Sequence, residues 1–171
     1  MQLVAKQSQR LINDNNWFMF LYNSLTRKKE KLSKDKIRMY VCGVTVYDRP
    51  HLGHALSTVT FDVLHRFLEY SGYDVKRVQN FTDVDDKIIN KSKELNISAQ
   101  EVAEKYIDSF FEDMDALGVR RADVHPRATE DMKEIIELIS SLIDNKAAYS
   151  SNGSVYFDVS YSSDYGKLSR R

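Results

Sequence analysis

The sequence has few of the residues that would mark a secreted, disordered or membrane protein. It contains one cysteine, two prolines and six glycines in 171 residues. The single thiol, Cys42, excludes an internal disulfide and suits a reducing compartment. The scarcity of proline and glycine argues against a disordered or loop-rich chain. No apolar run approaches the roughly 20 residues of a membrane span, and no secretory signal is present. We therefore expect a cytoplasmic protein.

Charge of neither sign is in excess. Twenty-five basic and twenty-five acidic residues give a formal net charge of zero, so bulk electrostatics predicts neither nucleic-acid nor membrane binding. The hydrophobic share of 42% is ordinary for a globular protein. Residues 1–18 are polar and without periodicity, which predicts a loosely ordered extension. The chain reaches Arg171 in mid-pattern, with no closing element.

A strand–helix–strand unit is the clearest pattern. Phe20–Asn23 is predicted to form a short strand, and 26–36 a charged connection. A buried strand is predicted from Ile37 to Cys42 and ends at Gly43, and a second follows over 75–80. The helix between them begins near His51, ends at Gly72 and carries an apolar stripe that we expect to face the core: Leu52, Leu56, Val59, Val63 and Phe67. Such a βαβ unit predicts parallel strands and an α/β fold.

Further helices and one hairpin complete the expectations. A helix is predicted over 83–95. A capping box, Ser98 with Glu101, opens the next helix, which ends at Gly118. Its core side chains are predicted to be Val102, Tyr106, Phe110, Met114 and Leu117. A loop is predicted over 122–127. Thr129 is predicted to start a helix whose core face is Met132, Ile135, Ile136, Ile139, Leu142 and Ile143. Asn152-Gly153 indicates a tight β-hairpin.

Two short motifs flank the first helix. A lone thiol such as Cys42 is usually a small buried hydrophobe, but the turn expected at Gly43 favours its exposure. His51 and His54 lie at i and i+3 in the first helical turn, on one side of the helix. They could be half of a metal site, a satisfied surface pair, or a phosphate-binding pair with Gly53 leaving room for a nucleotide. The strand and short loop before them favour the phosphate interpretation.

Polar residues also follow the second strand. Thr82 and Asp83 are expected in the same crevice as Cys42, because ligands of open α/β sheets bind at the carboxyl ends of strands. Acids at a helix N-terminus are the simpler explanation for the aspartates over 83–86. A calcium loop is rejected because Ile88 stands where glycine is needed. The usual phosphate-binding glycine loops are absent.

The motifs together resemble the cysteinyl-tRNA synthetase family of class I. The resemblance runs from about Phe20 to Arg171. It is carried by Met39-Tyr-Val-Cys-Gly-Val-Thr-Val-Tyr-Asp48, His51-Leu-Gly-His54, Asn80-Phe-Thr-Asp-Val-Asp-Asp-Lys-Ile-Ile89, Pro126-Arg-Ala-Thr129 and Tyr165-Gly-Lys-Leu-Ser169. It implies a Rossmann-like parallel sheet in the N-terminal half of the class I catalytic fold. The domains implied are an extension over 1–18, the first half of the nucleotide-binding core over 19–118, and the start of an inserted connective region over 119–171.

The resemblance also implies a reaction and roles for residues. The family makes cysteinyl-adenylate from ATP, with Mg²⁺, and then charges tRNA(Cys). The implied enzyme is a monomer with no membrane partner. His51 and His54 would be catalytic and would bind ATP together with Gly43, Thr45 and Gly53. Cysteine would be bound by Cys42, Gly43, Thr45, Tyr47 and Thr82. Cys42 would be one ligand of a zinc ion that selects the substrate thiolate. Val44 stands where the family often has proline.

The other zinc ligands of the family, and its second ATP-binding loop, have no counterpart within these 171 residues. The resemblance therefore implies a chain that is one part of a longer synthetase and inactive alone. Two alternatives stay open. One is a truncated, non-catalytic binding module. The other is the related ligase that joins cysteine to an aminosugar in mycothiol synthesis, although Asp86-Lys87-Ile88-Ile89 looks more like the tRNA enzyme.

Overall fold

The computed structural model describes residues 19–32 and 36–170. The predicted extension 1–18 lies outside the described residues. The described chain forms two compact units, one over 36–130 and the other over 19–32 with 131–170. In chain order the elements are β1 (Phe20–Asn23), β2 (Lys28–Lys31), β3 (Ile37–Thr45), α1 (Leu52–Tyr70), β4 (Val75–Thr82), α2 (Asp86–Leu95), α3 (Ala99–Ala116), α4 (Met132–Asp144), β5 (Ala148–Ser151), β6 (Ser154–Phe157) and a 3₁₀ turn (Val159–Tyr161).

The first unit is built on the predicted βαβ motif. β3 and β4 pair in parallel, with α1 between them in sequence, so the α/β prediction is confirmed. β3 is longer than predicted, because it continues through Gly43 to Thr45 with an irregularity between Val41 and Val44. β4 likewise reaches Thr82. Both strands therefore extend to the start of the polar motif that follows β4.

A third segment joins the sheet where only a loop was predicted. Val124 forms a parallel bridge with Val78, and Arg127 forms one with Phe81. The main chain supports both bridges, since the Gln79 N–H donates to the Val124 carbonyl at 3.1 Å and the Phe81 N–H donates to the Pro126 carbonyl at 2.9 Å. The prediction of a plain loop over 122–127 is wrong, because Pro126 and the short length of the segment hide its strand character in the sequence.

The apolar core of this unit lies between the end of β4, α2 and α3. The buried Phe81 ring meets Phe110 edge-to-face at 5.5 Å between ring centroids, an arrangement that aromatic quadrupoles favour. The Ser98–Glu101 capping box is present at the start of α3. Four of the five predicted core residues of α3 are buried, whereas Leu117 is exposed at the C-cap. α2 begins at Asp86, three residues later than predicted, because Asp85 is its N-cap.

The apolar stripe predicted to anchor α1 does not face the core. All five of its members are exposed, and Leu52 is 86% exposed. The buried residues of α1 are instead Thr58, Asp62, His65 and Leu68, on roughly the opposite side of the helix. The prediction is wrong because periodicity identifies an apolar face without identifying what that face packs against.

α1 is held by buried charge. The Asp62 carboxylate accepts a hydrogen bond from Arg66 Nε at 2.8 Å and faces the buried Arg77 guanidinium of β4 at 3.6 Å. Arg77 also donates from Nη2 to the Arg120 carbonyl, and its main-chain N–H donates to Asp123 at 2.6 Å. Burial lowers the pKa of Arg77, against the opposing effect of Asp62. The group still carries its positive charge at neutral pH.

The buried histidine of α1 predicts a loss of stability in mild acid. Burial lowers the pKa of His65, assisted by Arg120 and opposed by Glu69, and burial lowers the pKa of His125 as well. As pH falls through the unfolded value near 6.5, the unfolded chain therefore binds protons that the folded chain does not. The free energy of unfolding should decrease between about pH 7.5 and pH 5.5.

Urea unfolding at several pH values measures this slope. Replacing His65 with glutamine should make the slope shallower over the same range. The described carboxylates with a resolved shift have a lowered pKa, so their effect falls at lower pH, below about 4.5. A slope unchanged in His65→Gln would contradict a neutral buried imidazole at this position.

The second unit contains two hairpins and α4. β1 pairs antiparallel with Lys28–Lys31, which corrects the prediction of a plain connection over 26–36; residues 33–35 lie outside the described part. The Asn152-Gly153 hairpin is confirmed, with positive φ at both positions. α4 begins at Met132, not at Thr129, and none of its residues is buried, so its predicted core face is also wrong. Among the described residues, no helix is both long and apolar enough to cross a membrane.

Candidate functional site

The site begins at the irregularity in β3. Val41 pairs with Gln79 and Val44 pairs with Phe81, so Cys42 and Gly43 together face the single residue Asn80 of β4. Two residues opposite one define a β-bulge, which bends a strand and changes the direction of its side chains. A Cβ atom on Gly43 would lie 1.6 Å from the Asn80 carbonyl oxygen. Only glycine fits there without a backbone shift.

Cys42 lies in this bulge with an exposed side chain. Its sulfur makes one weak contact, with the Gly43 carbonyl at 3.8 Å. The thiol is thus accessible to a ligand and is not part of the packed core, which disfavours the buried-hydrophobe alternative. The strand does not end at Gly43 as predicted. The Cys42 thiol is exposed because of the bulge, and not because the strand ends beside it.

Two threonines lie side by side at the carboxyl ends of the parallel strands. Thr45 of β3 and Thr82 of β4 are partners in the register. The Thr82 hydroxyl oxygen accepts a hydrogen bond from Asn80 Nδ2 at 3.3 Å, and its carbonyl accepts one from the Val46 N–H at 3.3 Å. The structure therefore brings Gly43, Thr45 and Thr82 together at the sheet edge where α/β folds bind ligands.

Asp83 does not contribute to this edge as expected. Its side chain is buried, and its two oxygens accept hydrogen bonds from the main-chain N–H of Thr129, at 3.1 Å, and from the Thr129 hydroxyl. The carboxylate thereby fixes the Pro126-Arg-Ala-Thr129 turn against the end of β4. The acid has a structural partner, so the expectation that it faces the ligand crevice is corrected.

Tyr47 lies just beyond β3, beside the start of α2. The Lys87 ammonium stands 5.0 Å from the centroid of its ring, within the range of a cation–π contact. The tyrosine is half-buried and packs at the margin of the core cluster. This contact orients the ring at the same end of the sheet as the two threonines.

The two histidines form a reciprocal cap at the start of α1. His51 is the N-cap residue, and its Nδ1 accepts a hydrogen bond from the Gly53 N–H at 3.1 Å. His54 Nδ1 accepts one from the His51 N–H at 3.2 Å. The imidazole rings stack, with centroids 3.8 Å apart and an angle of 18° between their planes. This is the geometry of a capping box made with imidazoles instead of a serine and a glutamate.

The cap determines which nitrogen of each neutral imidazole carries the proton. A main-chain N–H can only donate, so the Nδ1 atom that accepts from it has no proton. Each neutral ring must then carry its proton on Nε2. Burial lowers the pKa of His54, and the neighbouring His51 lowers it further. The motif therefore presents Nε2–H donors that are suited to a phosphate oxygen.

Gly53 is needed for this arrangement. A Cβ atom there would lie 2.9 Å from Cε1 of the His51 ring, closer than carbon atoms normally approach. The space beside Gly53 was expected to serve a nucleotide, but in this structure the nearest neighbour is the folded-back imidazole. The glycine thus permits the cap that orients both donors.

A narrow crevice joins the histidine cap to the sheet edge. Thr45 and His54 both line it, together with Val44, Val46, Asp48, Pro50, Tyr106 and Phe110. Its cavity volume of about 10 Å³ is far below the 300–1,000 Å³ typical of small-molecule sites. The crevice is therefore too small to enclose a small-molecule ligand by itself.

The described residues do not bring a full set of metal ligands together. Among residues 19–32 and 36–170, no three His, Cys, Asp or Glu side chains come together as a metal-binding group. The exposed Cys42 thiol has the chemistry of a zinc ligand. A closed zinc site would need three further ligands from elsewhere.

Sequence reasoning missed Asn80 as part of the site. Its Oδ1 accepts hydrogen bonds from the Gly43 N–H at 2.9 Å and the Tyr40 hydroxyl at 2.8 Å. Asn80 opens the Asn80-to-Ile89 motif, which was the one available signal. The bulge opposite it has no signature in the sequence, because its register depends on how two distant strands pair.

Comparisons with known proteins match this chain over most of its length. The family described as "tRNA synthetases class I (C) catalytic domain" matches residues 28–171. The "Cysteine--tRNA ligase" of Clostridioides difficile is 55% identical over 154 residues, which are 88% of this chain and 33% of the relative. That of Maridesulfovibrio salexigens is 51% identical over 90% of this chain and 32% of the relative. The chain spans about a third of the length of these curated relatives.

A solved structure shares the fold at low identity. It is the ternary complex of Agrobacterium radiobacter LeuRS with tRNA and LeuAMS, with a TM-score of 0.57, 17% identity, and cover of 67% of this chain and 15% of that chain. At that identity the likeness concerns the fold alone. It supports the Rossmann-like architecture that the family resemblance implied.

Proposed function

The chain belongs to the family of class I (C) tRNA synthetase catalytic domains, and we propose that it is part of a cysteine–tRNA ligase. Such an enzyme activates cysteine with ATP, releases pyrophosphate, and transfers the cysteinyl group from the adenylate to tRNA(Cys). The observation that carries the proposal is the histidine cap, in which two imidazoles at a helix N-terminus accept main-chain hydrogen bonds through Nδ1 and keep Nε2 for a ligand. About 50% identity to several cysteine–tRNA ligases supports it.

The histidines act on the phosphates in this proposal. When the cysteine carboxylate attacks the α-phosphorus of ATP, negative charge develops on the phosphoryl oxygens. The Nε2–H groups of His51 and His54, already oriented by their Nδ1 hydrogen bonds, stabilise that charge without reorganisation. The positive end of the α1 dipole adds to the same effect. Gly43, Thr45 and Gly53 provide the surface over which ATP lies.

The amino-acid side of the site is the sheet edge. We propose that Cys42, Gly43, Thr45, Tyr47 and Thr82 surround the substrate cysteine. The exposed Cys42 thiol fits the role of one zinc ligand, but a single thiolate does not hold the ion tightly, and the remaining ligands would come from outside these 171 residues. When bound, zinc would favour a thiolate over a hydroxyl substrate. Mg²⁺ would accompany ATP.

The wider assignments belong to the same proposal. We propose that residues 1–18 are an N-terminal extension and that residues 19–118 form the first half of the nucleotide-binding core. Residues 119–171 would then begin an inserted connective region. ATP, cysteine and tRNA(Cys) are the partners proposed for the complete enzyme, which would act in the cytoplasm as a monomer. Alone, the 171-residue chain should charge no tRNA, because it contributes only part of the proposed site.

ATP–pyrophosphate exchange tests the function directly. The complete gene product that contains this sequence should exchange labelled pyrophosphate into ATP when cysteine is present, and not when serine replaces it. Absence of cysteine-dependent exchange would overturn the proposal. An exchange supported by cysteine, followed by transfer to an aminosugar and not to tRNA, would favour the mycothiol-type relative.

The histidine cap gives a sharper prediction at His54. In His54→Asn the side-chain oxygen can still accept the hydrogen bond from the His51 N–H, but the Nε2–H donor is lost. The rate constant of cysteine-dependent exchange should fall about 10²–10³-fold, while the thermal midpoint of unfolding stays close to that of the original protein. His54→Ala, which removes cap and donor together, is the matched comparison and should also lower the midpoint. Exchange within twofold of the original in His54→Asn would contradict the role.

A further inference from the structure

Asn80 is the residue on which the geometry of the bulge depends. Because Cys42 and Gly43 oppose one residue of β4, the ladder between the strands is interrupted there. The Gly43 N–H, which the bulge removes from the regular ladder, donates to the side-chain oxygen of Asn80 at 2.9 Å. A side chain thus takes the place of a main-chain partner in the position next to the exposed thiol.

The same amide connects three parts of the sheet edge. Asn80 Oδ1 accepts a second hydrogen bond, from the Tyr40 hydroxyl at 2.8 Å, and Asn80 Nδ2 donates to the Thr82 hydroxyl at 3.3 Å. One oxygen and one nitrogen of a single side chain therefore fix Gly43 on β3 and Thr82 on β4 relative to each other. Both residues belong to the proposed cysteine-binding surface.

From these contacts we propose that Asn80 is a positioning residue for substrate cysteine. Through Gly43 it holds the bulge that exposes the Cys42 thiol, and it orients the Thr82 hydroxyl at the same edge of the sheet. It does not touch substrate itself. The inference deepens the proposed function and rests on it for the identity of the substrate, whereas the hold of Asn80 on Gly43 concerns the fold of this chain alone.

The chemistry of the amide makes the substitutions informative. Alanine at position 80 removes both the acceptor for Gly43 and the donor to Thr82. Aspartate keeps the acceptor, and the Thr82 hydroxyl can rotate to donate to it. Asn90, exposed in α2, offers a matched asparagine-to-alanine control that is not among the residues of the site.

Amide hydrogen exchange in the 171-residue chain tests the hold on the bulge. In Asn80→Ala the Gly43 N–H should exchange about tenfold faster, the loss expected for one hydrogen bond of about 1–1.5 kcal/mol. Asn80→Asp and Asn90→Ala should leave its rate near that of the original chain. If Asn80→Ala does not fold, the Asn80→Asp variant provides the test. Retained protection of the Gly43 N–H against exchange in that variant supports the inference, and loss of this protection overturns it.

Kinetics of the complete gene product test the positioning of substrate. Asn80→Ala should raise KM for cysteine by about tenfold with KM for ATP unchanged, and Asn80→Asp should restore it. A general structural defect would change both KM values together, and that result, or no change in either, would overturn the inference. If the unsubstituted protein shows no cysteine-dependent exchange, the proposed function fails, while the Gly43 measurement still decides what Asn80 holds.

Discussion

Replacing Asp62 with asparagine is expected to lower the free energy of unfolding by about 3–5 kcal/mol, the usual cost of removing one partner from a buried ion pair. The change is nearly isosteric, so packing around α1 is kept and only the charge is lost. Arg77 would then remain buried, with its guanidinium held chiefly by the Arg120 carbonyl. Leaving a buried cation without its carboxylate destabilises a protein by much more than the intact pair stabilises it.

Urea unfolding monitored by circular dichroism measures the effect. Asp108→Asn in α3 is the matched control, since that aspartate is exposed, and it should change stability by less than about 0.5 kcal/mol. The double variant Asp62→Leu with Arg77→Met removes both charges and should be more stable than Asp62→Asn. A loss below about 1 kcal/mol in Asp62→Asn would show that water already reaches Arg77.

Local signals in the sequence predicted most of the elements of the first unit. The Ser98–Glu101 box, the positive-φ Gly72 and Gly118 after helices, and the Asn152-Gly153 hairpin of the second unit all depend on neighbouring residues, and each is present. Such signals act within a few residues, so they survive without knowledge of the rest of the chain. The parallel pairing of β3 and β4 followed from the same local spacing.

The sequence did not predict several contacts between residues that are far apart along the chain. The bridges of Val124 and Arg127 to β4, and the bonds from Asp83 to Thr129, join positions 46 residues apart. The bulge at Cys42 is of the same kind, because it is defined by the partner strand. The histidine motif was recognised as a possible phosphate site, but its reciprocal cap requires the stacked ring geometry that only the structure contains.

The helix α1 shows why periodicity predicted the wrong face. Its apolar stripe is real in the sequence, yet the buried residues lie on the opposite side, where Asp62 pairs with Arg77 of β4 and His65 is buried as well. Apolar faces are buried on average. A face that carries polar residues can be buried instead when those residues have buried partners, so the rule does not decide which face of this helix is packed. Exposure therefore has to be tested residue by residue along this helix.

Two leucines of α1 provide that test. Leu68 is fully buried, with 0% exposure, whereas Leu56 is 71% exposed. Leu68→Ala is expected to lower the free energy of unfolding by about 2–5 kcal/mol, because it removes buried methyl groups and leaves a cavity. Leu56→Ala should change it by less than about 0.5 kcal/mol, since alanine is also the better helix former.

These two variants show which face of α1 is packed, because both replace leucine with alanine in the same helix. Both substitutions delete the same atoms from one helix, so any difference in urea midpoint reports burial alone. If the predicted stripe were the packed face, Leu56→Ala would be the destabilising change and Leu68→Ala the neutral one. Equal losses would mean that both faces are covered in solution. The expected order, Leu68 costly and Leu56 nearly neutral, requires α1 to be anchored by the face that also carries Asp62 and His65.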